Sequence, residues 1–307
     1  AILSKLKAEP FKYDILICDA SPDKRDLLPD GTGRSSKKEC ILPDVMLSSL
    51  KRINPAIEED KIKEIVKTLR QDYTGTDIVD TNYKLYRQIR NNIKITVRRN
   101  GKEDFDFVKL IDFEHPENNT FTAVSQMWIQ GKVYYRRPDI LIFINGMPLV
   151  FIELKNSIVK IEEAYNKNLK DYMRDIPNLF AFNQICVLSN GLETKLGAFN
   201  ATYDYFFEWL KIDSEKEKLD REAILAADNV KDSSIRYFVD GLLNKDRLME
   251  YIENFILFEN QRIKIIAKNH QYLGVNNLME SVKNRKELNG KLGVFWHTQG
   301  SGKSYSM

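Results

Sequence analysis

Apolar residues along this chain recur with two periods, and the switches between them mark the elements. From residue 42 to 50 and again from 58 to 70 they return every three or four positions, with Asn54-Pro55 between the two runs. Ile62, Ile65, Val66 and Leu69 form one stripe, so the spacing predicts two helices packed through a single apolar face. Between 83 and 102, Leu85 and Ile89 point inward while Lys84, Arg87 and Arg90 share another helix face. Alternation then predicts strands at Ile93 to Val97 and Phe105 to Phe113 across an Asn100-Gly101 turn, followed by Phe121 to Ile129 and Val133 to Arg137. Ile161 to Met173 has helical spacing, and Ile185 to Leu188 reads as a buried strand ended by Asn190-Gly191. Residues 1 to 39 are irregular and polar apart from a short strand at Tyr13 to Cys18, with turn signals in PDGTGR at 29 to 34.

The densest signal is RRPDILIFINGMPLVFIELKNS, residues 136 to 157. Two apolar strands, Asp139 to Ile144 and Leu149 to Lys155, flank an Asn-Gly step, the strongest short-range hairpin signal. Glu153 and Lys155 interrupt the second strand and project from one side, because strand side chains alternate faces. A two-residue loop of Asn145 and Gly146 would place Asp139 opposite Ile152, on the wrong face. The expected remedy is a three-residue loop, Ile144-Asn145-Gly146 with Gly146 left-handed, or a bulge. Asp139 and Glu153 on adjacent strands can then hold Mg²⁺ through hard oxygen ligands, with Lys155 placed to orient or deprotonate a water. That is the chemistry of metal-assisted phosphodiester hydrolysis. The competing reading is a solvated rim of charges that keeps a sheet edge from aggregating.

Pro138-Asp139 followed by Glu153-Leu154-Lys155 resembles the PD-(D/E)xK nuclease core, a short pattern that recurs by chance. The longer run is more specific and resembles the restriction (motor) subunit of type I restriction–modification enzymes. WIQGKVYYRRPD with Gln126, IPNLFAFNQICVLSNG, and the order of PDGTGR then ILPDVMLSSLKRINPAI carry the same resemblance. It implies catalytic roles for Asp139, Glu153 and Lys155, with Asp139 and Glu153 as metal ligands. It also implies supporting or DNA-facing roles for Gln126, Arg136, Arg137, Asn168 and Tyr172. In that family the helix after the hairpin carries Gln-x-x-x-Tyr; here Tyr172 matches and Asn168 replaces the glutamine, losing about one methylene of reach. An additional amino-terminal glutamate found in many such nucleases has no assigned position here.

The carboxyl-terminal GVFWHTQGSGKSYSM reads as a strand, Val294 to Trp296, leading into a phosphate-binding loop. Gly300 and Gly302 allow backbone amides to surround phosphates, Lys303 would reach the β- and γ-phosphates, and Ser304 would bind Mg²⁺. His297 stands where the usual eight-residue pattern has its first glycine, a variation that resembles helicase-like ATPases. Gln271, within His270-Gln271-Tyr272, resembles the adenine-reading element of such motors. ATP is therefore the implied nucleotide of the full-length chain, and hydrolysis by this segment alone is not expected.

Composition narrows the class. With 47 basic and 44 acidic residues the net charge is +3, too small to decide a partner globally, but residues 83 to 102 carry seven basic residues and no acid. Such a face is read as an electrostatic footprint for DNA backbone beside a phosphodiesterase site, the alternative being an ordinary solvated helix face. No apolar run approaches the roughly 20 residues needed to span a bilayer. Cys18, Cys40 and Cys186 have neither metal spacing nor an even count for disulfides, which points to a reducing, cytoplasmic compartment. Position 1 is not Met, so it does not read as a chain start, and because the sequence stops four residues after Lys303 it reads as the amino-terminal piece of a longer polypeptide.

The expected fold is α/β, a mixed sheet flanked by helices, then a helical linker and the beginning of a RecA-like P-loop domain. The expected divisions are an endonuclease domain at 1–210 with its core at about 78–200, a charged linker at 211–260 with a helix from Asp246 to Phe258, and the ATPase start at 261–307. The leading reading is a Mg²⁺-dependent nuclease on double-stranded DNA that works with methylation and specificity subunits. The alternative is a DNA-binding or assembly module with an inactive nuclease core.

Overall fold

The computed structural model describes every residue except 1, 100, 215, 219, 227–232, 296–301, 303, 305 and 307. The chain opens with α1 (Ile2–Lys7) and β1 (Asp14–Ile17), then the expected helix pair α2 (Pro43–Ile53) and α3 (Glu59–Leu69). Ile62, Ile65, Val66 and Leu69 are buried, as the stripe requires. Next come α4 (Ile78–Asn91) and a two-stranded ribbon of β2 (Ile93–Arg99) and β3 (Lys102–Val108). The ribbon ends at Val108 rather than Phe113, because Lys109 turns to bond Asn54 through both its N–H and its carbonyl. Asn100, expected in the turn, lies outside the described residues.

β4 (Phe121–Ser125) stops earlier than its apolar run suggests, because Gln126 adopts a left-handed conformation at φ +57°. Short strands β5 (Ile129–Gln130) and β6 (Tyr135–Arg136) lead into the hairpin of β7 (Ile140–Ile144) and β8 (Met147–Leu154). A helix follows in three stretches: α5 (Ile161–Glu163), a π-helical turn (Ala164–Leu169) and α6 (Lys170–Asp175). The chain continues through β9 (Ile185–Ser189), β10 (Thr194–Gly197) and β11 (Phe207–Glu208). Beyond them come α7 (Arg221–Leu225), α8 (Ile235–Leu242), α9 (Lys245–Asn254), the hairpin β12 (Ile256–Glu259) and β13 (Ile263–Ile266), and α10 (Asn269–Lys283).

Seven strands in the order β1-β4-β7-β8-β9-β10-β11 make the main sheet, which is mixed: β1–β4 and β8–β9 run parallel, the other neighbours antiparallel. Both faces are buried. Ile140, Ile142, Ile144, Val150 and Ile152 pack against α2, α3, α4 and α9 on one side. Leu141, Phe143, Phe151 and Leu188 pack against the 161–175 helix on the other. This confirms the expected helix-flanked mixed sheet.

The hairpin resolves the parity problem by a bulge, not by a three-residue loop. Ile144 faces Met147 across a two-residue turn in which Asn145 (φ +48°) and Gly146 (φ +79°) are both left-handed. Phe143 faces Pro148 but Ile142 faces Val150, so Leu149 is the extra residue. From there Leu141 pairs with Phe151 and Ile140 with Ile152, which brings Asp139 level with Glu153. Gly146 is also pinned by α2: a Cβ there would meet the Leu42 carbonyl at 2.5 Å and the Met46 nitrogen at 2.8 Å. Gly146→Ala is therefore expected to cost more than the roughly 1–3 kcal/mol of a left-handed non-glycine residue. Urea unfolding should show a lower midpoint at unchanged slope.

Residues 235–256 bury apolar faces in the same core cluster as the sheet. Two other expectations change. The helix placed at Asp246 to Phe258 ends at Asn254, because Ile256 to Glu259 pair with β13 across left-handed Asn260 and Gln261. Val294 and Phe295 are not in a strand: among the described residues no neighbouring strand pairs with them.

Candidate active site

The bulge places Asp139, Glu153 and Lys155 on the sheet face that the 161–175 helix covers. Asp139 sits one residue before β7 and is fixed on both carboxylate oxygens. Gln126 Nε2 donates to Oδ1 at 2.9 Å and the Leu154 N–H donates to Oδ2 at 2.8 Å, while the Gln126 N–H donates to the Asp139 carbonyl at 3.1 Å. The left-handed backbone at Gln126 allows it to grip Asp139 by main chain and side chain together; such outliers concentrate at functional sites.

Glu153 is 2% exposed. Its Oε1 accepts from Lys155 Nζ at 2.8 Å and from Asn168 Nδ2 at 2.8 Å. Oε2 is buried without a hydrogen-bond partner. The Tyr172 hydroxyl is a close neighbour of Glu153, but its single proton goes to the Arg137 carbonyl at 3.1 Å. Burial, and secondarily the charge of Asp139, raise the Glu153 carboxyl to about 7 against the opposing pull of Lys155. Burial beside the same two carboxylates also pushes the Tyr172 phenol far up, so it stays a neutral donor. The Lys155 N–H donates to the Ser189 carbonyl at 2.7 Å, which ties the end of this motif to β9.

Asn168 lies within the π-helical turn, and π-bulges are frequent at functional sites. Despite its shorter side chain it reaches Glu153 directly. If Glu153 holds a metal ion in a hydrolytic site, Asn168→Ala is expected to lower that activity by about 10–100-fold, the usual loss when the partner of a metal-holding group is removed. Restoration of activity by Asn168→Gln would mark an amide that orients Glu153.

The arginines divide. Arg136 donates through Nε to Asp175 Oδ2 at 2.7 Å and through Nη2 to Asp171 at 3.3 Å, so its charge is used to hold β6 on α6. Asp171 and Asp175 carried no local signal for this role, lying 35 and 39 residues away. Arg137 donates to the Ala20 carbonyl, stacks 5.0 Å from the Trp128 ring centroid and has no carboxylate partner among the described residues.

The basic segment at 83–102 does not lie beside these carboxylates. The Gln184 N–H donates to the Leu149 carbonyl at 2.7 Å, and Asn82 in α4 donates to the carbonyls of Phe180, Ala181 and Asn183. The chain leaving β3 reaches the Asn145 turn, where Asn145 Nδ2 donates to the Leu110 carbonyl. α4 and the ribbon thus surround the turn end of the hairpin, where Gly146 lies seven residues, roughly 23 Å at about 3.3 Å per strand residue, from Glu153. The charge pattern located a basic surface correctly but not its place on the sheet.

Among the nucleotide-loop residues, Gly300 and Lys303 lie outside the described residues. Gly302 is left-handed at φ +83°, and its carbonyl accepts from Gln271 Nε2 at 2.9 Å. Ser304 is exposed. Gln271 occupies the first turn of α10 and accepts from the Lys268 N–H at 2.7 Å. A cavity of about 420 Å³ opens beside Gln271 and Gly302, walled by Asn200, Tyr205, Phe207 and Lys264.

The family described as type I restriction enzyme R protein N terminus matches residues 6–205. The chain belongs to this family. R-protein relatives include the type I restriction enzyme HindI endonuclease subunit of Haemophilus influenzae, 34% identical over 277 residues, covering 87% of this chain and 25% of the relative. A putative type I restriction enzyme MjaIXP endonuclease subunit of Methanocaldococcus jannaschii is 32% identical, covering 92% of this chain and 28% of the relative. The chain thus spans about a quarter of the length of these curated R-protein relatives. Residues 270–307 separately match the SWI2/SNF2 ATPase family.

A hard divalent cation fits the donor set of this R-protein site. Two carboxylates converge from adjacent strands, and one of their oxygens is buried without a partner. No cluster of three or more acidic, histidine or cysteine side chains suited to a metal occurs among the described residues. A Mg²⁺ here would therefore keep several waters, as that ion commonly does.

Proposed function

We propose that this segment is the Mg²⁺-dependent endonuclease site of a type I restriction enzyme R subunit, acting on double-stranded DNA. The observation that carries the reading is the buried, unpartnered Glu153 oxygen beside Asp139, with Lys155 on the same sheet face. Asp139 and Glu153 would hold the ion, which when bound supplies a water of lowered pKa and offsets charge on the phosphate. Gln126 and the Leu154 N–H orient Asp139, and Asn168 orients Glu153. Lys155 orients the attacking water or takes its proton, and steadies the developing charge. Tyr172 closes the apolar side of the site and ties it to the Arg137 backbone.

The match to the ATPase family at 270–307 supports coupling to an ATP-driven motor in the full-length chain. Gln271 and the loop around Gly302 would contribute to its nucleotide site. DNA recognition and modification would fall to separate specificity and methylation subunits. The second reading, a DNA-binding or assembly module with an inactive nuclease core, draws on the lack of a third acid near the site among the described residues.

The test is Mg²⁺-dependent cleavage of DNA by the full-length subunit with its partner subunits, wild type beside Asp139→Ala and Lys155→Ala, following ATP hydrolysis in parallel. Loss of cutting with ATP hydrolysis retained supports the nuclease reading. Cutting that survives both changes moves the binding module ahead.

A further inference from the structure

The β2–β3 ribbon has two unlike faces. Ile93 and Ile95 pack inward on the main core, and beside them Arg99 is held by Asp104 and Asp106 at 2.6 Å each. The outward face carries Lys94, Thr96 and Arg98 on one strand and Glu103, Phe105 and Phe107 on the other. Phe105 and Phe107 are 49% and 58% exposed, an unusual position for phenylalanine pairs on a strand ribbon. Lys94 Nζ lies 3.5 Å from the centroid of the Phe105 ring, so cation and aromatic form one surface. α4 leads straight into this ribbon and adds exposed Arg87 and Arg90, which rest against the rings of Tyr83 and Tyr86. Among the described residues, no ion pair is formed by Arg87, Arg90, Lys94 or Arg98, and Glu103 is the one acid on the ribbon's outward face.

We propose that this ribbon seats in the major groove of duplex DNA, as a second, non-catalytic contact at the end of the sheet opposite the carboxylates. It rests on the nuclease reading only for the choice of DNA among polyanions. Two seven-residue strands extend roughly 23 Å at about 3.3 Å per residue. A two-stranded ribbon fits the approximately 12 Å width of the major groove. Arg87, Arg90, Lys94 and Arg98 bind phosphates, while Phe105 and Phe107 meet base edges and thymine methyls. The excess of cations without acidic partners favours a polyanion over a protein surface, on which two exposed rings alone would otherwise fit.

The test uses the full-length subunit with its partner subunits and a duplex, in EDTA so that no cleavage chemistry enters the readout. Lys94→Glu/Arg98→Glu is expected to weaken duplex binding by tenfold or more at about 0.1 M salt. The plot of log affinity against log salt should become shallower by about 2, because two phosphates are no longer neutralised by the protein. A photoreactive phenylalanine analogue at position 105 should cross-link to the duplex. Unchanged affinity and slope, a cross-link confined to a partner polypeptide, or stronger cross-linking to single strands than to duplex would each overturn the proposal. Because metal is absent, these outcomes stand whether or not Asp139→Ala abolishes cutting.

Discussion

Lys155→Ala is expected to reduce DNA cleavage by about 10²–10⁴-fold, the range for removing a positioned proton-transfer group, and to leave ATP hydrolysis unchanged. The ammonium group has two tasks in this geometry. It bonds Glu153 Oε1 at 2.8 Å, and it is the cation that opposes the upward push of burial on the Glu153 carboxyl. Its loss removes the group assigned to the proposed water and also leaves Glu153 Oε1 with Asn168 as its remaining donor. Lys155→Arg separates these tasks. A guanidinium keeps the charge but does not give up its proton at accessible pH. Arginine that restores cutting assigns Lys155 an electrostatic role; arginine as inactive as alanine assigns it proton transfer. Asp139→Ala should be at least as damaging, because it removes a metal ligand and frees both Gln126 and the Leu154 N–H. Neither change should reach the ATPase match at 270–307, so cleavage and ATP turnover should separate.

The largest stability effect is expected far from this chemistry. Asp30→Asn should destabilise the fold by about 3–5 kcal/mol, the usual cost of breaking a buried ion pair by removing one partner. Asp30 Oδ2 accepts from Arg34 Nη2 and Lys37 Nζ, both at 2.7 Å, and those two side chains are 0% and 5% exposed. Without the carboxylate, two buried cations lose their counter-charge. Burial alone would raise the Asp30 carboxyl, but bonds from Lys37 and Thr32 and the Arg34 charge outweigh it and hold it well below the usual range.

A depressed folded-state value means the contribution is complete above the unfolded value, about 3.9, and is lost as pH falls below that. Urea unfolding should therefore show the full gap between wild type and Asp30→Asn at about pH 7 and a smaller one at about pH 3. An equal gap at both values would remove the ionised carboxylate from the explanation. A secondary loss of cleavage is expected as well. Arg34 Nη2 donates to the Trp128 carbonyl at 3.0 Å and the Gln130 N–H donates to the Lys37 carbonyl at 2.9 Å, so this loop braces the segment just after Gln126.

Local pattern made PDGTGR legible as a turn, yet gave no hint that it braces the segment after Gln126, because Trp128 lies 94 positions from Arg34. The same limit applied to Arg136. Beside the hairpin its charge suggested DNA, while the structure gives it Asp171 and Asp175. Asn168 was marked by resemblance, with plain helix packing as the alternative, and its contact with Glu153 comes from a π-helical turn that side-chain spacing does not reveal. Gln126 was marked by resemblance alone. Its left-handed backbone, which both ends β4 and grips Asp139, depends on the returning strand.

The sequence by itself determined the strands and helices whose apolar period is strong, the Asn-Gly hairpin, and the requirement that Asp139, Glu153 and Lys155 share a face. It also determined that an extra residue was needed to meet that requirement. These features follow from side-chain alternation and turn chemistry between near neighbours, which a short window contains. Only the tertiary structure decided that the extra residue is Leu149, with Gly146 held in a tight turn against α2. It alone left one Glu153 oxygen buried without a partner, and it alone carried the basic ribbon to the opposite end of the sheet. Those outcomes depend on pairings between segments tens of residues apart, whose relative placement is settled by burying both faces of the sheet at once.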